Sequence, residues 1–397
     1  MKSKLIMVFM ILSALAVIAA PLLDWGRVYP MNGEQQIFYA DATNDGVYLF
    51  GYTNPKDITE DMLTMKIGLN GKILDSSVSG GRNNDWALWG FESHDEGLVS
   101  IGSSNSFSYD YDMIISKSGK NSFNKPIVNF GIERGTSGLE LGDSYIIVGY
   151  GSNPQTLNMV GKIVKINKTN NEVEWSKWLP GAEAGIDIKP LSVQLTTDGN
   201  FIIAGTKINF FSGITEVYMT KVNLSGEEIW TKTFSGRDYA RGFEVQETKG
   251  GYLIAGYNGD WSKGWSDFYL TKVDHNGDIL WESEFGQDKS DHAYSVKVAK
   301  NGNIYVAGYT TPEGKDNFDM LLVEYNANGE ILSHEVVGGN GDDVAYSLDI
   351  DDNGNLYMVG YSTSTDFGAD VSGDPVVFKY SVTVSYTHLT LPTILRV

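Results

Sequence analysis

NGNIYVAGY, residues 301–309, is a turn, then an apolar run, then a Gly-Tyr pair. The phrase recurs along the chain. It reads DGVYLFGY at 45–52, EGLVSIGS at 96–103, DSYIIVGY at 143–150 and DGNFIIAGT at 198–206. It returns as GGYLIAGY at 250–257 and NGNLYMVGY at 353–361, which makes seven copies centred on Gly51, Gly102, Gly149, Gly205, Gly256, Gly308 and Gly360. Self-similarity at a period of roughly fifty residues is the mark of a repeat architecture, and it takes precedence over any local assignment.

A second phrase follows most copies: an apolar strand, a turn, and a strand that often opens with Trp. YMTKVNLSGEEIWTKTF (218–234), FYLTKVDHNGDILWESEF (268–285) and MLLVEYNANGEILSHEVV (320–337) are the clearest. A further strand precedes each glycine phrase, as in AYSVKVA (293–299) and VAYSLDI (344–350). One unit therefore holds four short strands joined by turns, and outside the first twenty residues no segment has a helical period. Four antiparallel strands at this period make a β-propeller blade, so the expected fold is all-β, a seven-bladed β-propeller. Middle strands such as Leu253-Ile254-Ala255 are almost continuously apolar, as sheets buried on both faces require. Trp175, Trp230 and Trp281 fall at equivalent positions and are expected to pack between blades. Six outer strands follow a glycine phrase, starting near Ile73, Phe123, Val173, Ile229, Ile279 and Ile331, and the seventh is missing. DWGRVYP (24–30) stands alone before the first unit and is expected to pair into the last blade, closing the ring.

The ends differ from the body. Lys2 and Lys4 precede an apolar stretch, Leu5 to Ile18, interrupted only by Ser13, and small residues follow at Ala16, Ala19 and Ala20. This is the layout of a secretory signal over 1–20, or of an uncleaved anchor, and either places the body outside the cytoplasm. The propeller is assigned to 21–383. Reverse-translated, 384–393 can be written as the adapter of a transposase-based sequencing library, so 384–397 is expected to be a non-native, adapter-derived tail.

Composition excludes several functions. There is no Cys, so no disulfide, thiolate nucleophile or cysteine zinc site exists. The net charge is −20, which repels phosphate backbones, and no nucleic-acid partner is expected. No catalytic set stands out. His94, His275, His292 and His334 are expected to lie in different units, which argues against a histidine-rich metal site.

GDDVAYSLDIDDNGNLYMVGYST (341–363) and DFYLTKVDHNGDILWESEFG (267–286) resemble the bacterial secreted β-propeller repeat family. The resemblance spans about residues 24–383. It implies the fold and a secreted or cell-surface location, and it is specific to the repeat rather than to an activity. Residues 161–175, GKIVKINKTNNEVEW, also have a shallow similarity to the quinoprotein-type propeller repeat.

Loops divide by face. Long links at 105–112, 207–216, 258–267 and 362–375 share one face, while tight hairpins such as HNGD and TDGN occupy the other. Binding sites usually form on long loops carried by a rigid scaffold. The candidate ligand-binding residues on that face are Trp86, Tyr109, Tyr111, Phe210, Trp261 and Trp265, with Asp85, Asp238, Asp291, Asp342 and Asp343 expected to ring the channel mouth. Exposed aromatic rings beside carboxylates suit stacking on sugars with hydrogen bonds to hydroxyls. The competing view is that the Asp residues cap turns and the aromatics fill loop interiors. The leading expectation is non-catalytic binding of an extracellular glycan or protein. A glycosidase or lyase using mouth carboxylates, and a structural module of a truncated larger surface protein, are the alternatives. No cofactor is expected. Asp349, Asp351 and Asn353 begin like a calcium loop but lack its closing Glu, since that position is Gly360. Contact with a membrane is expected only through an uncleaved signal or a lost C-terminal part.

Overall fold

The computed structural model describes residues 20–55, 59–128, 131–156, 158–234, 237–260, 262–286 and 289–382. The signal segment up to residue 19, Trp261 and the 384–397 tail lie outside the described residues. The described chain is all-β, with one 3₁₀ turn at Thr365–Phe367 and no α-helix. No described helix is long and apolar enough to cross a membrane.

The strands fall into seven four-stranded antiparallel sheets, numbered here in chain order. A single parallel bridge, Thr215 to Tyr239, links sheets 4 and 5. The innermost strands are Glu34–Thr43, Asp85–Glu92, Glu133–Leu141, Ile186–Leu195, Tyr239–Thr248, His292–Val298 and Asp343–Ile350. Each packs against the innermost strand of the next sheet, and the last packs against the first, so they surround one central channel. The glycine phrases form the second strands, such as Gly251–Asp260, where residues 251–259 are all buried. Leu253, Ile254 and Ala255 are wholly inaccessible because neighbouring sheets cover both faces.

Outer strands begin at Ile73, Phe123, Val173, Glu228, Ile279 and Ile331. The seventh sheet, Asp343–Ile350, Asn355–Ser362 and Asp374–Ser381, takes its fourth strand from Leu22–Val28 at the other end of the chain. Trp25 lies opposite Lys379, as Trp175 lies opposite Lys165, Trp230 opposite Lys221 and Trp281 opposite Lys272. Each Trp covers a turn glycine of the following sheet. A Cβ would lie 3.0 Å from Trp175 at Gly226, 3.0 Å from Trp230 at Gly277 and 2.7 Å from Trp281 at Gly329. Trp25 covers Gly71 of sheet 1 at 3.1 Å in the same way. The N-terminal strand thus supplies both the missing strand and its tryptophan.

Candidate functional site: the central channel and its mouth

Every innermost strand carries one register shift. It skips Phe38, Leu88, Thr136, Leu191, Phe243, Tyr294 and Tyr346 in turn. A bulge leaves one residue unpaired and redirects its side chain. Here all seven line a cavity of about 230 Å³ in the channel. The repeat glycine sits across from this irregularity. A Cβ at Gly51, Gly102, Gly256, Gly308 or Gly360 would lie 1.7–1.8 Å from a carbonyl oxygen of its own inner strand, so no side chain fits there.

Two residues before each bulge is a ring at the channel mouth, on the long-loop face: Gln36, Trp86, Arg134, Lys189, Arg241, His292 and Val344. Five of these pair in register with the tyrosine of the Gly-Tyr phrase, Tyr52, Tyr150, Tyr257, Tyr309 and Tyr361. One side of the mouth is a continuous aromatic wall. The His292 ring stacks on Tyr257 at 3.9 Å, and Tyr309 lies 4.8 Å from His292 and 4.5 Å from Phe318. Tyr294 bridges Phe243 at 4.7 Å and Tyr346 at 5.1 Å, and Phe38 continues the series 5.5 Å from Tyr346. Across the mouth, Trp86 stacks on Tyr111 at 4.9 Å, and its indole N–H donates to the Glu60 carboxylate at 2.5 Å. Both ring nitrogens of His292 have hydroxyl partners, Ser266 at 2.7 Å and Tyr309 at 2.9 Å. Burial, aided by Arg241, pushes its pKa down to about 3, so it is neutral at physiological pH.

Deeper in the channel, two belts of side chains bond each inner strand to the next. Ser137, Ser192 and Ser295 accept from the backbone N–H groups of Val193, Val245 and Leu348. Ser347 accepts from Ala40 at 3.1 Å, carrying the belt from sheet 7 to sheet 1. Glu244 replaces the serine in sheet 5 and accepts from Ser295, the Val296 N–H and Lys297. In sheets 1 and 2 the position holds Tyr39 and Trp89, whose rings stack at 3.6 Å. The second belt runs from Asp349 to the Ala42 N–H and from Asp41 to the Glu92 N–H. Lys297 lies 2.8 Å from Glu244 and 3.7 Å from Asp349. Burial opposes its charge, but these carboxylates hold its pKa well above the ordinary lysine value. Burial and the nearby Asp349 raise the Asp41 pKa to about 7. This charged cluster borders a second cavity, of about 360 Å³, toward the hairpin face.

The mouth carboxylates are placed differently from expectation. Asp85, Asp291 and Asp343 are buried beneath the mouth. Asp85 accepts from the Gly81 N–H and the Ser106 hydroxyl, and Asp343 accepts from the Gly339 N–H and the Ser364 hydroxyl. Asp85 and Asp343 fasten the links between sheets, whose loop N–H groups need acceptors once buried. Asp342 accepts from the Phe318 N–H, and Asp238 is exposed, its carbonyl accepting from the Thr215 N–H at 3.4 Å. Among the aromatics, Trp86 and Tyr111 meet at the mouth. Tyr109 and Phe210 stand out in solvent at 106% and 62% exposure, and Trp265 is half-buried at a strand start. Asp349, Asp351 and Asn353 do not converge. Asp349 turns into the channel, while Asp351 accepts from the Asn353 and Asn355 N–H groups of its own hairpin. His292 and His334, expected in different units, share sheet 6, on its innermost and outermost strands. Among the described residues no cluster of three metal-ligating side chains exists. Sequence analysis missed the three cations of the ring, Arg134, Lys189 and Arg241. Arg134 and Arg241 stand 15 residues before their repeat glycines, Gly149 and Gly256, while Lys189 stands 16 before Gly205, so no single column of the aligned units marks them.

Comparison with known proteins bears on the fold. Residues 333–368 match the family described as Beta-propeller repeat. Regulatory protein FlaEY of Caulobacter vibrioides is 30% identical over 131 residues, which is 30% of this chain and 14% of that protein. The chain thus matches only a small part of that relative's length. A puromycin hydrolase structure aligns with a TM-score of 0.53 at 13% identity, covering 86% of this chain and 53% of that one. The Pan2 WD40 domain of Neurospora crassa aligns with a TM-score of 0.47 at 8% identity, covering 88% and 97%. Residues 333–368 are a β-propeller repeat by sequence, and the chain that carries them folds as a β-propeller.

Proposed function

We propose that this protein is a non-catalytic binding module, working outside the cytoplasm, that takes a glycan into the mouth of its channel on the long-loop face. The aromatic wall from Tyr257 through His292, Tyr309, Tyr294 and Tyr346 to Phe38 is the observation that supports this. The rings of Phe38, Tyr294 and Tyr346 line the channel cavity, backed by the buried Tyr257 and Tyr309, and ring faces in a concave opening match the apolar faces of sugar rings. The buried mouth carboxylates already serve the loops, which leaves the aromatics as the recognition surface. The test is affinity electrophoresis of the purified protein through a panel of soluble polysaccharides, with Trp86→Ala/Tyr346→Ala beside it. Retardation by at least one glycan that is lost in the double variant, while its melting temperature stays within a few degrees, is expected. Retardation unchanged by the double variant would move the site off the mouth.

A further inference from the structure

The mouth ring contradicts the charge of the protein that carries it. The chain has 50 acidic and 30 basic residues, yet the seven ring positions hold three cations and no carboxylate. The cations are consecutive: Arg134, Lys189 and Arg241 come from sheets 3, 4 and 5 at the same place relative to the bulge. Each lies against an aromatic ring. The Arg134 guanidinium carbon is 5.0 Å from the Trp86 ring centre and 5.5 Å from that of Tyr111. Lys189 is 5.7 Å from the Tyr150 ring, and Arg241 is 5.9 Å from the Tyr257 ring. Lys189 has Asp187 at 3.4 Å. Among the described residues no carboxylate pairs with Arg134 or Arg241. A guanidinium held over aromatic rings keeps its N–H fork pointed at whatever enters, and that fork matches a carboxylate in two-point geometry. Three like charges around one opening repel each other, and an entering anion relieves that repulsion.

We infer that the mouth binds a sugar that carries a carboxylate, its ring stacked on the aromatic wall and its carboxylate held between Arg134, Lys189 and Arg241. This rests on the glycan reading above and narrows it. The chain as a whole carries −20 and repels a dense polyanion, so the fit is to a single or terminal acidic residue rather than to a continuous acidic polymer. Tyr150 sits among the three cations. Burial raises its pKa, with Arg134 and Arg241 acting in the other direction, so it stays a neutral donor beside the anion.

The test is calorimetric titration of the full protein with digalacturonate, with its methyl ester and with a sulfated disaccharide. The ester keeps the ring and removes the charge. Digalacturonate is expected to bind on the order of tenfold or more tighter than the ester, as a charge-assisted hydrogen bond supplies. That preference should vanish in Arg134→Ala/Arg241→Ala, survive in part in Arg134→Lys/Arg241→Lys, and weaken in 0.5 M salt on the order expected for exposed charges. Equal binding of acid and ester would overturn the inference and leave the glycan reading standing. Tighter binding of the sulfated sugar would overturn the carboxylate assignment. If none of the sugars binds and no polysaccharide retards the protein, the inference and the glycan reading fall together.

Discussion

His292 sits at the meeting point of the aromatic wall and the cation ring, and its protonation is set by where it sits. Its folded pKa of about 3 lies below the unfolded value near 6.5, so the unfolded chain binds more protons between those limits. The contribution of this group to stability is therefore complete above about pH 6.5 and is lost as the pH falls toward 3, at up to about 1.4 kcal/mol per pH unit. His292→Gln keeps partners for Ser266 and Tyr309 and carries no titration. Lowering the pH from 7.5 to 5 should shift the urea midpoint less favourably for the wild type than for this variant, the gap being the share of His292, because Asp41 titrates alike in both. Equal shifts in both would mean that His292 is solvated in solution. Asp41 works in the opposite direction: burial raises its pKa to about 7, so its contribution is complete at low pH and fades as the pH rises through 7.

At the scale of the element, the bulge and the repeat glycine act together. A regular strand would alternate its side chains between the two neighbouring sheets. The unpaired residue turns the ring position, the bulged residue and the next one toward the channel, while the glycine lets the displaced carbonyl approach. The outer strands follow a different logic. Their inner neighbours place Lys165, Lys221, Lys272 and Lys379 in register opposite Trp175, Trp230, Trp281 and Trp25. Trp25 on the N-terminal strand is half-buried, covers Gly71, and its indole N–H donates to the Leu69 carbonyl at 2.9 Å. Trp25→Ala should destabilise the protein by about 2 kcal/mol, less than a fully buried Trp because part of the ring is wet. Chemical unfolding checks it. A loss equal to that of an exposed substitution, near zero, would mean that the N-terminal strand is detached in solution.

At the scale of the whole molecule, the belts decide how the two ends of the chain behave. Ser347 bonds the Ala40 N–H across a sequence separation of 307, with the chemistry that Ser192 uses toward Val245 across 53. If sheets 7 and 1 pack as firmly as sheets 4 and 5, Ser347→Ala and Ser192→Ala should cost the same. Each leaves a buried N–H without its acceptor, worth about 1–3 kcal/mol. A Ser347→Ala cost near zero against a full cost for Ser192→Ala would place a seam between the first and last sheets. The acidic net charge acts at this scale too, since a field that repels polyanions surrounds a mouth lined with cations.

Much of the fold was legible because each unit must repeat the same solution. A four-strand period, a glycine wherever the bulge brings a carbonyl close, and a stray strand carrying a Trp-type outer pattern were all readable from spacing. Trp86 is legible as a mouth residue and Tyr111 as one of the long-loop face, and the structure stacks the two rings on each other. Asp85, Asp291 and Asp343 were read for the mouth as well, but a carboxylate before a strand looks the same in sequence whether it faces solvent or fastens a loop. The channel lining was hidden for a related reason. A bulge shifts the strand's alternation by one residue, and nothing in the inner strands of single units marks where that shift falls. The sequence by itself determined the repeat, the strand count and the origin of the last strand, because these follow from local periodicity. Only the tertiary structure decided that Arg134, Lys189 and Arg241 share one opening, because they lie in three units and meet only when the sheets turn about a common axis.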